Sequence, residues 1–491
     1  MESTDIIPNE VKRAIDELRR AGFEGYIVGG CVRDLLRGRK PLDWDAATNA
    51  APEQIMKVFP DNFCDNKFGT VTARVGGDFE IEITPYRVES RYTDKRHPDT
   101  VEWADNINDD LSRRDFTVNA MALSYKQECG RDNIELIDLF GGQKDLESKI
   151  IRAVRDPEER FSEDALRMMR AARFAITLGA DWRIEKTTAR AIAENRAGMA
   201  AVSQERIRDE LLKIIMSPRA AQGIELLRQL GLLEYIMPEL LEGFGCAQNK
   251  HHIYDCYHHL LKSLEFAAKK NFGMHVRVAS LLHDIGKPKS KAGDGPNATF
   301  YNHEMIGAKI AKKILQRLKF SKKDCDKIVL LARYHLFYYN VGEVSESSVR
   351  RLVKNAGKEN IEELLQVRMA DRIGSGCPKA EPYKLRHLRY LMERVALDPI
   401  SPKMIEIDGK DIMEILQISP GPKIGMILDI LLGQILENPK LNDRDYLVNA
   451  IKRLGVMEDD GLARLAAEAK EQRNKIEIKR DEMTKKKYWV V

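Results

Sequence analysis

The sequence predicts an α+β protein: a small mixed β-sheet in an N-terminal head, followed by an all-α remainder. Three observations carry this expectation. Strand and helix patterns alternate up to about residue 147, the strand pattern stops near residue 150, and beyond it apolar residues recur at three- and four-residue spacing. A chain of 491 residues is long enough for several domains. The divisions are expected at 1–147, 148–245, 246–385 and 386–491.

In the head, Val11, Ile15 and Leu18 form a helical stripe that Gly22 stops. GYIVGG then reads as a buried strand running into a glycine turn, and residues 32–37 as one or two helical turns closed by Gly38. Residues 70–75 (TVTARV) and 79–84 (FEIEIT) read as paired strands with Gly76 and Gly77 between them. Further on, 163–178, 204–216 and 258–270 carry helical stripes. Residues 289–298 and 374–382 read as loops, 403–454 as a last helical unit, and the charged end as a helix or a disordered tail.

Bulk properties exclude little. The chain is 43% hydrophobic and 32% charged, as expected of a packed globular protein. Its 80 basic and 76 acidic residues leave a net charge of +4, which neither supports nor excludes a nucleic-acid partner. Seven widely spaced cysteines without a CxxC pair point to reduced thiols. No apolar run is long enough to cross a bilayer, and residues 1–22 lack an apolar signal core. The expectation is a cytoplasmic protein with no membrane partner.

The densest chemical signal is GGCVRDLLRGRKPLDWD, residues 29–45. Gly29 and Gly30 allow backbone amides to approach an anion, and Arg33 adds a fixed positive charge. Asp43 and Asp45 are two apart, so on a strand both carboxylates share a face. Hard oxygen donors so placed suit Mg²⁺. Glu80 and Glu82 alternate in the same way on FEIEIT, and either could complete a three-carboxylate, two-metal site.

This stretch resembles the signature of the polymerase-β-like nucleotidyltransferases, in the branch that holds class II tRNA CCA-adding enzymes and bacterial poly(A) polymerases. Residues 112–122 (SRRDFTVNAMA), 138–142 (DLFGG), 163–167 (EDALR) and 203–210 (SQERIRDE) resemble four further motifs of that family in the same order. The resemblance implies a catalytic head, a helical neck, body and tail, and a two-Mg²⁺ site on Asp43, Asp45 and Glu82. It implies nucleotide contacts from Gly29, Gly30, Arg33, Arg113, Arg114, Asp115, Asn119, Asp164, Arg167, Arg170 and Arg173. CTP and ATP would be the substrates and the acceptor arm and 3′ end of tRNA the partner. Trp44 departs from the aliphatic residue usual between the aspartates, and its side chain is expected to point away from the metals. Ser112 reads as a helix N-cap and Asp138 as closing a turn, while the family reading ties DLFGG to movement between C and A addition.

Asp164 and Arg167 are three apart, which predicts one helix face. An ionised carboxylate only accepts hydrogen bonds and a guanidinium only donates them. Cytosine and adenine each present an amino donor beside a ring acceptor, which fits such a pair. Uracil and guanine present the reverse, and burying their mismatched groups costs about 1–3 kcal/mol each. The alternative is an ordinary ion pair between the two residues.

Eight of the ten histidines fall between 251 and 335. In VASLLHDIGKP, His283 and Asp284 end an apolar helix, a rigid base for metal ligands. The pattern resembles the HD phosphohydrolase domain, a helical metal-dependent fold fused to some CCA-adding enzymes. By that resemblance His259, His283, Asp284 and Asp371 are core ligands, His303 and His335 allow a second divalent transition metal, and 2′,3′-cyclic or terminal phosphates are substrates. The alternative is a metal-free scaffold for tRNA. His258 competes with His259, while His251, His252 and His275 are expected on the surface or in turns.

Three other functions stay open: a poly(A) polymerase, an enzyme adding only A, and an HD phosphohydrolase whose head merely binds RNA. The segment 83–111 is too long for the CC-only type, which lacks a flexible loop there.

Overall fold

The computed structural model describes residues 7–65, 69–90, 100–104, 106–128, 131–249, 253–396 and 405–490. They form two compact units, one built from residues 1–335 with 366–378, the other from 336–365 with 379–491.

The head begins with the helix Asn9–Arg20, which buries Val11, Ala14, Ile15 and Leu18 and is left through Gly22 at φ 87°. Strand β1 (Tyr26–Val28) follows, then the helix Gly30–Leu36 and β2 (Asp45–Thr48). Strands β3 (Asn62–Asp65), β4 (Thr70–Val75) and β5 (Phe79–Pro85) come next. Short strands β6 (Arg87–Ser90) and β7 (Thr100–Trp103) pair with each other alone. Strands β8 (Ala122–Glu128) and β9 (Arg131–Ile137) complete a seven-stranded sheet ordered β3-β4-β5-β2-β1-β8-β9. Only β2 and β5 pair in parallel within it, so the sheet is mixed as expected. Gly76 and Gly77 take the positive-φ conformations that the turn between β4 and β5 requires.

One side of the sheet packs on a core of Ile15, Leu18, Ile27, Val32, Ile55, Val71, Ile81 and Ile83. Burial of each large apolar side chain contributes about 1.5–3 kcal/mol. Trp44 belongs to this core at 4% exposure, whereas Asp43 and Asp45 on either side of it line a cavity instead.

Beyond the head, helices dominate, with one departure from the expected all-α remainder. Strands β10 (Ile150–Ile151) and β11 (Arg183–Ile184) form a two-residue parallel pair. Two residues are too short to show a period in sequence. A second correction concerns 163–178. One helix runs Pro157–Glu163, the next Leu166–Thr177, and Asp164 between them is extended. Its Oδ1 accepts from the Leu166 amide at 3.1 Å, so Asp164 caps the second helix rather than continuing the first. Ser112 likewise ends the helix Ile107–Ser112 instead of capping one, and Asp138 closes its turn through the amides of Gly142 and Gln143.

In the first unit the helices Cys256–Lys269, Met274–Leu282, His303–Arg317 and Lys322–Tyr334, with residues 366–374 of the helix Ile361–Gly374, carry or adjoin the histidines and Asp371. The second unit has its own core around Ile407, Ile427, Leu431, Leu447 and Leu462, and its charged end is the helix Asp459–Tyr488. Among the described residues, no helix is long and apolar enough to cross a membrane.

A carboxylate and arginine pocket in the head and a histidine cluster in the body

One cavity of about 770 Å³ in the head is lined by Asp43, Asp45 and Glu82 together with all eleven residues expected to contact nucleotide. The parallel register sets Asp45 directly beside Glu82 on β2 and β5. Asp43 lies in the bend before β2, not on the strand, which corrects the expectation that both aspartates alternate along one strand. Glu80, further along β5, does not line the cavity and pairs with Arg74 at 3.2 Å. Burial raises the Asp45 carboxyl to about 6; Arg114 opposes this, and Glu82 and Asp43 add to it. Three converging carboxylates, one of them pushed towards its neutral form, fit a divalent cation.

Around the carboxylates basic groups are in excess, each fixed by a partner. Gly29 turns at φ 78°, and a Cβ there would lie 2.7 Å from Arg114 Nη1 and 3.5 Å from Asp45 Oδ2. No larger residue fits that turn. Arg33 donates to Asn119 Oδ1 at 2.7 Å, Asn119 donates to Asp115 Oδ1 at 3.2 Å, and Arg170 closes on Asp115 Oδ2 at 2.7 Å. Burial opposes the Asp115 charge, but Arg170 and Asn119 outweigh it and lower the carboxyl to about 2.

Arg113 and Arg114 are aimed by Asp110, a residue absent from the expected set. Its side chain is fully buried, with Oδ1 accepting from Arg113 and Oδ2 from Arg114 at 2.9 Å. The i,i+3 and i,i+4 spacing in DDLSRR was the available signal. Phe174 was also missed; its ring takes the guanidinium carbons of Arg33, Arg170 and Arg173 at 5.5, 5.4 and 3.9 Å.

Asp164 and Arg167 both line the pocket but do not pair with each other. Asp164 is bridged by Arg206 through bonds of 3.1 and 2.7 Å, and Arg167 by Glu163 at 2.6 Å. The ordinary ion pair between them is thereby excluded, and so is the shared helix. Arg173 pairs with Glu210, which lies on the same helix as Arg206.

In the body, His259, His283, Asp284 and Asp371 bring ligand atoms within 4.8 Å of one another, and so do Asp284, His303 and His335. His259 Nε2 lies 3.0 Å from Asp284 Oδ2 and 2.9 Å from His283 Nε2. Asp284 Oδ1 instead faces His303 and His335 at 3.3 and 3.4 Å. All six side chains are buried. His283, His303 and His335 place Nδ1 on the carbonyls of Ser280, Phe300 and Ala332 at 2.9, 2.6 and 2.7 Å. A carbonyl only accepts, so Nδ1 carries a proton and Nε2 faces the carboxylates; burial opposes the charge of His283, but Asp284 and Asp371 outweigh it and raise the ring to about 9, so Nε2 offers a lone pair once a cation displaces its proton. Buried Asp284 Oδ1 finds no well-formed hydrogen bond. Lone pairs facing carboxylates make a donor set for cations, with Asp284 offering one oxygen to each group.

Burial opposes the charge of Asp284; Lys287, 2.6 Å from its Oδ2, and His283 outweigh it and hold the carboxyl well below the usual range. Arg368 braces Asp371 at 2.6 Å. Neither cation was anticipated, although each stands three residues from the aspartate it serves. His258 points away to Asp255, and His275 is half-buried on a helix, bonded to Asp324, rather than in a turn. His251 and His252 lie outside the described residues.

The chain is similar to known proteins over most of its length. Residues 25–152 match the Poly A polymerase head domain, 181–243 the Probable RNA and SrmB- binding site of polymerase A, and 256–375 the HD domain. The chain is 34% identical to an A-adding tRNA nucleotidyltransferase of Deinococcus radiodurans over 423 residues, covering 82% of this chain and 90% of that one. It is 33% identical to a CCA-adding enzyme of Ligilactobacillus salivarius over 455 residues, covering 91% and 98%. A crystal structure of the Bacillus stearothermophilus CCA-adding enzyme in complex with CTP superposes with a TM-score of 0.57 at 27% identity, covering 90% of this chain and 96% of that one. With a polymerase-β-like head, the RNA-binding segment and the HD body all in place, the chain belongs to the tRNA nucleotidyltransferases of the poly(A) polymerase family.

Proposed function

We propose that this enzyme adds C, C and A to the 3′ end of tRNA, without a template, from CTP and ATP. The carrying observation is a single cavity that holds the three carboxylates, the arginines and the Asp164–Arg167 edge. Asp43, Asp45 and Glu82 would hold two Mg²⁺ ions, which when bound activate the terminal hydroxyl and neutralise the departing pyrophosphate. The tRNA 3′-oxygen forms a bond to the α-phosphorus as the bond to pyrophosphate breaks, and the hydroxyl proton passes to solvent. Arg33, Arg113 and Arg114 grip the triphosphate, and Asn119 and Asp115 hold Arg33 and Arg170 in position. Asp164 and Arg167 read the base.

The working division is a head at 1–147, a neck at 148–245, an HD body at 246–385 and a tRNA-binding tail at 386–491. Six cysteines outside any disulfide among the described residues suit a reducing, cytoplasmic setting. The body site would hold two divalent transition-metal ions and hydrolyse 2′,3′-cyclic or terminal phosphates, clearing a tRNA end before extension. Conversion of a 2′,3′-cyclic phosphate end to a monoester by wild type, and its loss in His283→Ala, checks that activity.

Addition of A alone is the second reading, favoured by the similarity to the Deinococcus radiodurans A-adding enzyme. Transcripts ending before the first C, after one C and after both decide, with each nucleotide supplied singly. CMP on the first two and AMP on the third is expected. AMP on the third alone gives the A-adding enzyme, and unlimited AMP gives a poly(A) polymerase.

A further inference from the structure

We propose that Arg206 is a positioning residue that sets base choice: with the Leu166 amide it leaves Asp164 a single open acceptor position. This rests on the reading above that Asp164 faces the incoming base.

A carboxylate offers about four lone pairs, two on each oxygen. Asp164 Oδ1 accepts from the Leu166 amide at 3.1 Å and from Arg206 Nη1 at 3.1 Å, so both of its positions are taken. Among the described residues, Oδ2 accepts only from Arg206 Nη2, at 2.7 Å, which leaves one position there. The two parallel bonds from a planar guanidinium also stop the carboxylate from turning about its own axis. What remains is a single acceptor in a fixed direction.

Beside it, Arg167 is held just as firmly. Its Nη1 donates to Glu163 and to the Arg160 carbonyl, and its Nη2 to the Arg113 carbonyl at 3.0 Å. The Nε–H and the second Nη2–H remain as donors. One acceptor beside fixed donors matches the amino group and ring nitrogen of cytosine or adenine. It opposes the carbonyl and ring N–H of uracil or guanine.

A carboxylate without Arg206 regains rotation and two further lone pairs. It can then take up a water that donates to a uracil or guanine carbonyl, so rejection of those bases weakens. Arg206 as a mere pin between the helix Gln204–Ile215 and the bend at Asp164 makes a different prediction. Its loss would then slow all four nucleotides alike.

The test measures kcat/KM for CTP, UTP, ATP and GTP on transcripts ending before the first C and after CC. It compares wild type, Arg206→Gln, Arg206→Lys, Asp164→Ala and the Asp164→Ala/Arg206→Gln double variant. In Arg206→Gln the preferences for CTP over UTP and ATP over GTP are expected to fall at least about tenfold, as for loss of about 1.4 kcal/mol of discrimination. Arg206→Lys, which keeps the charge but not the paired bonds, should fall between. Adding Arg206→Gln to Asp164→Ala should change the preference no further, because both act through one carboxylate. Equal loss across the four nucleotides with unchanged preference overturns the proposal. Should Arg206→Gln fail to fold by circular dichroism, an unchanged preference in Arg206→Lys overturns it equally. A wild type that does not prefer C and A would defeat the functional reading instead, before any variant is made.

Discussion

Asp115 and Asp110 are buried carboxylates whose charge survives because guanidinium groups meet them. For Asp115 the consequence is a stability that depends on pH. Its carboxyl is lowered to about 2 in the folded state, against an ordinary 3.8. A group lowered by folding stabilises above its unfolded value, and that contribution is lost as pH falls through the folded value. The contribution is about 2 kcal/mol at neutral pH, at 1.36 kcal/mol per unit. Asp115→Asn should therefore unfold at lower temperature near pH 7, and the gap from wild type should narrow as pH falls from about 4 to 2. An unchanged gap in the melting profiles would contradict this. For Asp110, removing the charge frees Arg113 and Arg114 from the direction it imposes. Asp110→Asn should raise KM for CTP roughly tenfold, the equivalent of one charge-assisted hydrogen bond. Steady-state kinetics checks it; a KM equal to wild type would show that Asp110 aims nothing.

At the scale of elements, both sites depend on where strands and helices end. Asp43 precedes β2 and Asp45 begins it, while His283, His303 and His335 stand at the ends of helices. Of these placements the end of the apolar helix at His283 was legible in sequence; Asp43 was expected on the strand with Asp45, and neither His303 nor His335 was placed in an element from sequence. Asp164 was misplaced, although its own chemistry held the signal: a short carboxylate before ALR caps a helix more readily than it continues one. Its bond to Arg206, 42 residues further on, was not legible, because helix packing and not local spacing makes it. Lys287 and Asp110 had readable spacing but no feature separating them from a solvated charge. Close packing of the helix ends yields a further prediction. A Cβ at Gly286 would run into the His303 carbonyl and the backbone of Gly307. Gly286→Ala should push the helix His303–Arg317 outwards and cost about 1–3 kcal/mol. His303 then leaves Asp284, so metal analysis should find fewer divalent ions per chain than in wild type; an equal count with equal melting temperature contradicts this.

Over the whole molecule, a net charge of +4 conceals a strong local asymmetry. Arginines crowd the cavity that holds the three carboxylates, a pairing that would suit an anionic substrate and a cation together. The body repeats the theme in another chemistry, with imidazoles in place of guanidinium groups. The head match covers Asp43, Asp45 and Glu82 and the HD match covers the histidine cluster, while Asp164, Arg167, Arg170 and Arg173 lie between the matched segments. The carboxylates of β2 and β5, with Asp43 just before them, are proposed as the centre of nucleotide transfer. The rate of CMP addition to a tRNA transcript lacking its 3′ end, at fixed Mg²⁺, tests this most directly in Asp45→Asn. A fall of about a thousandfold or more is predicted, several kcal/mol of lost transition-state stabilisation, in a protein that still melts cooperatively. CMP addition at the wild-type rate by that variant would contradict it.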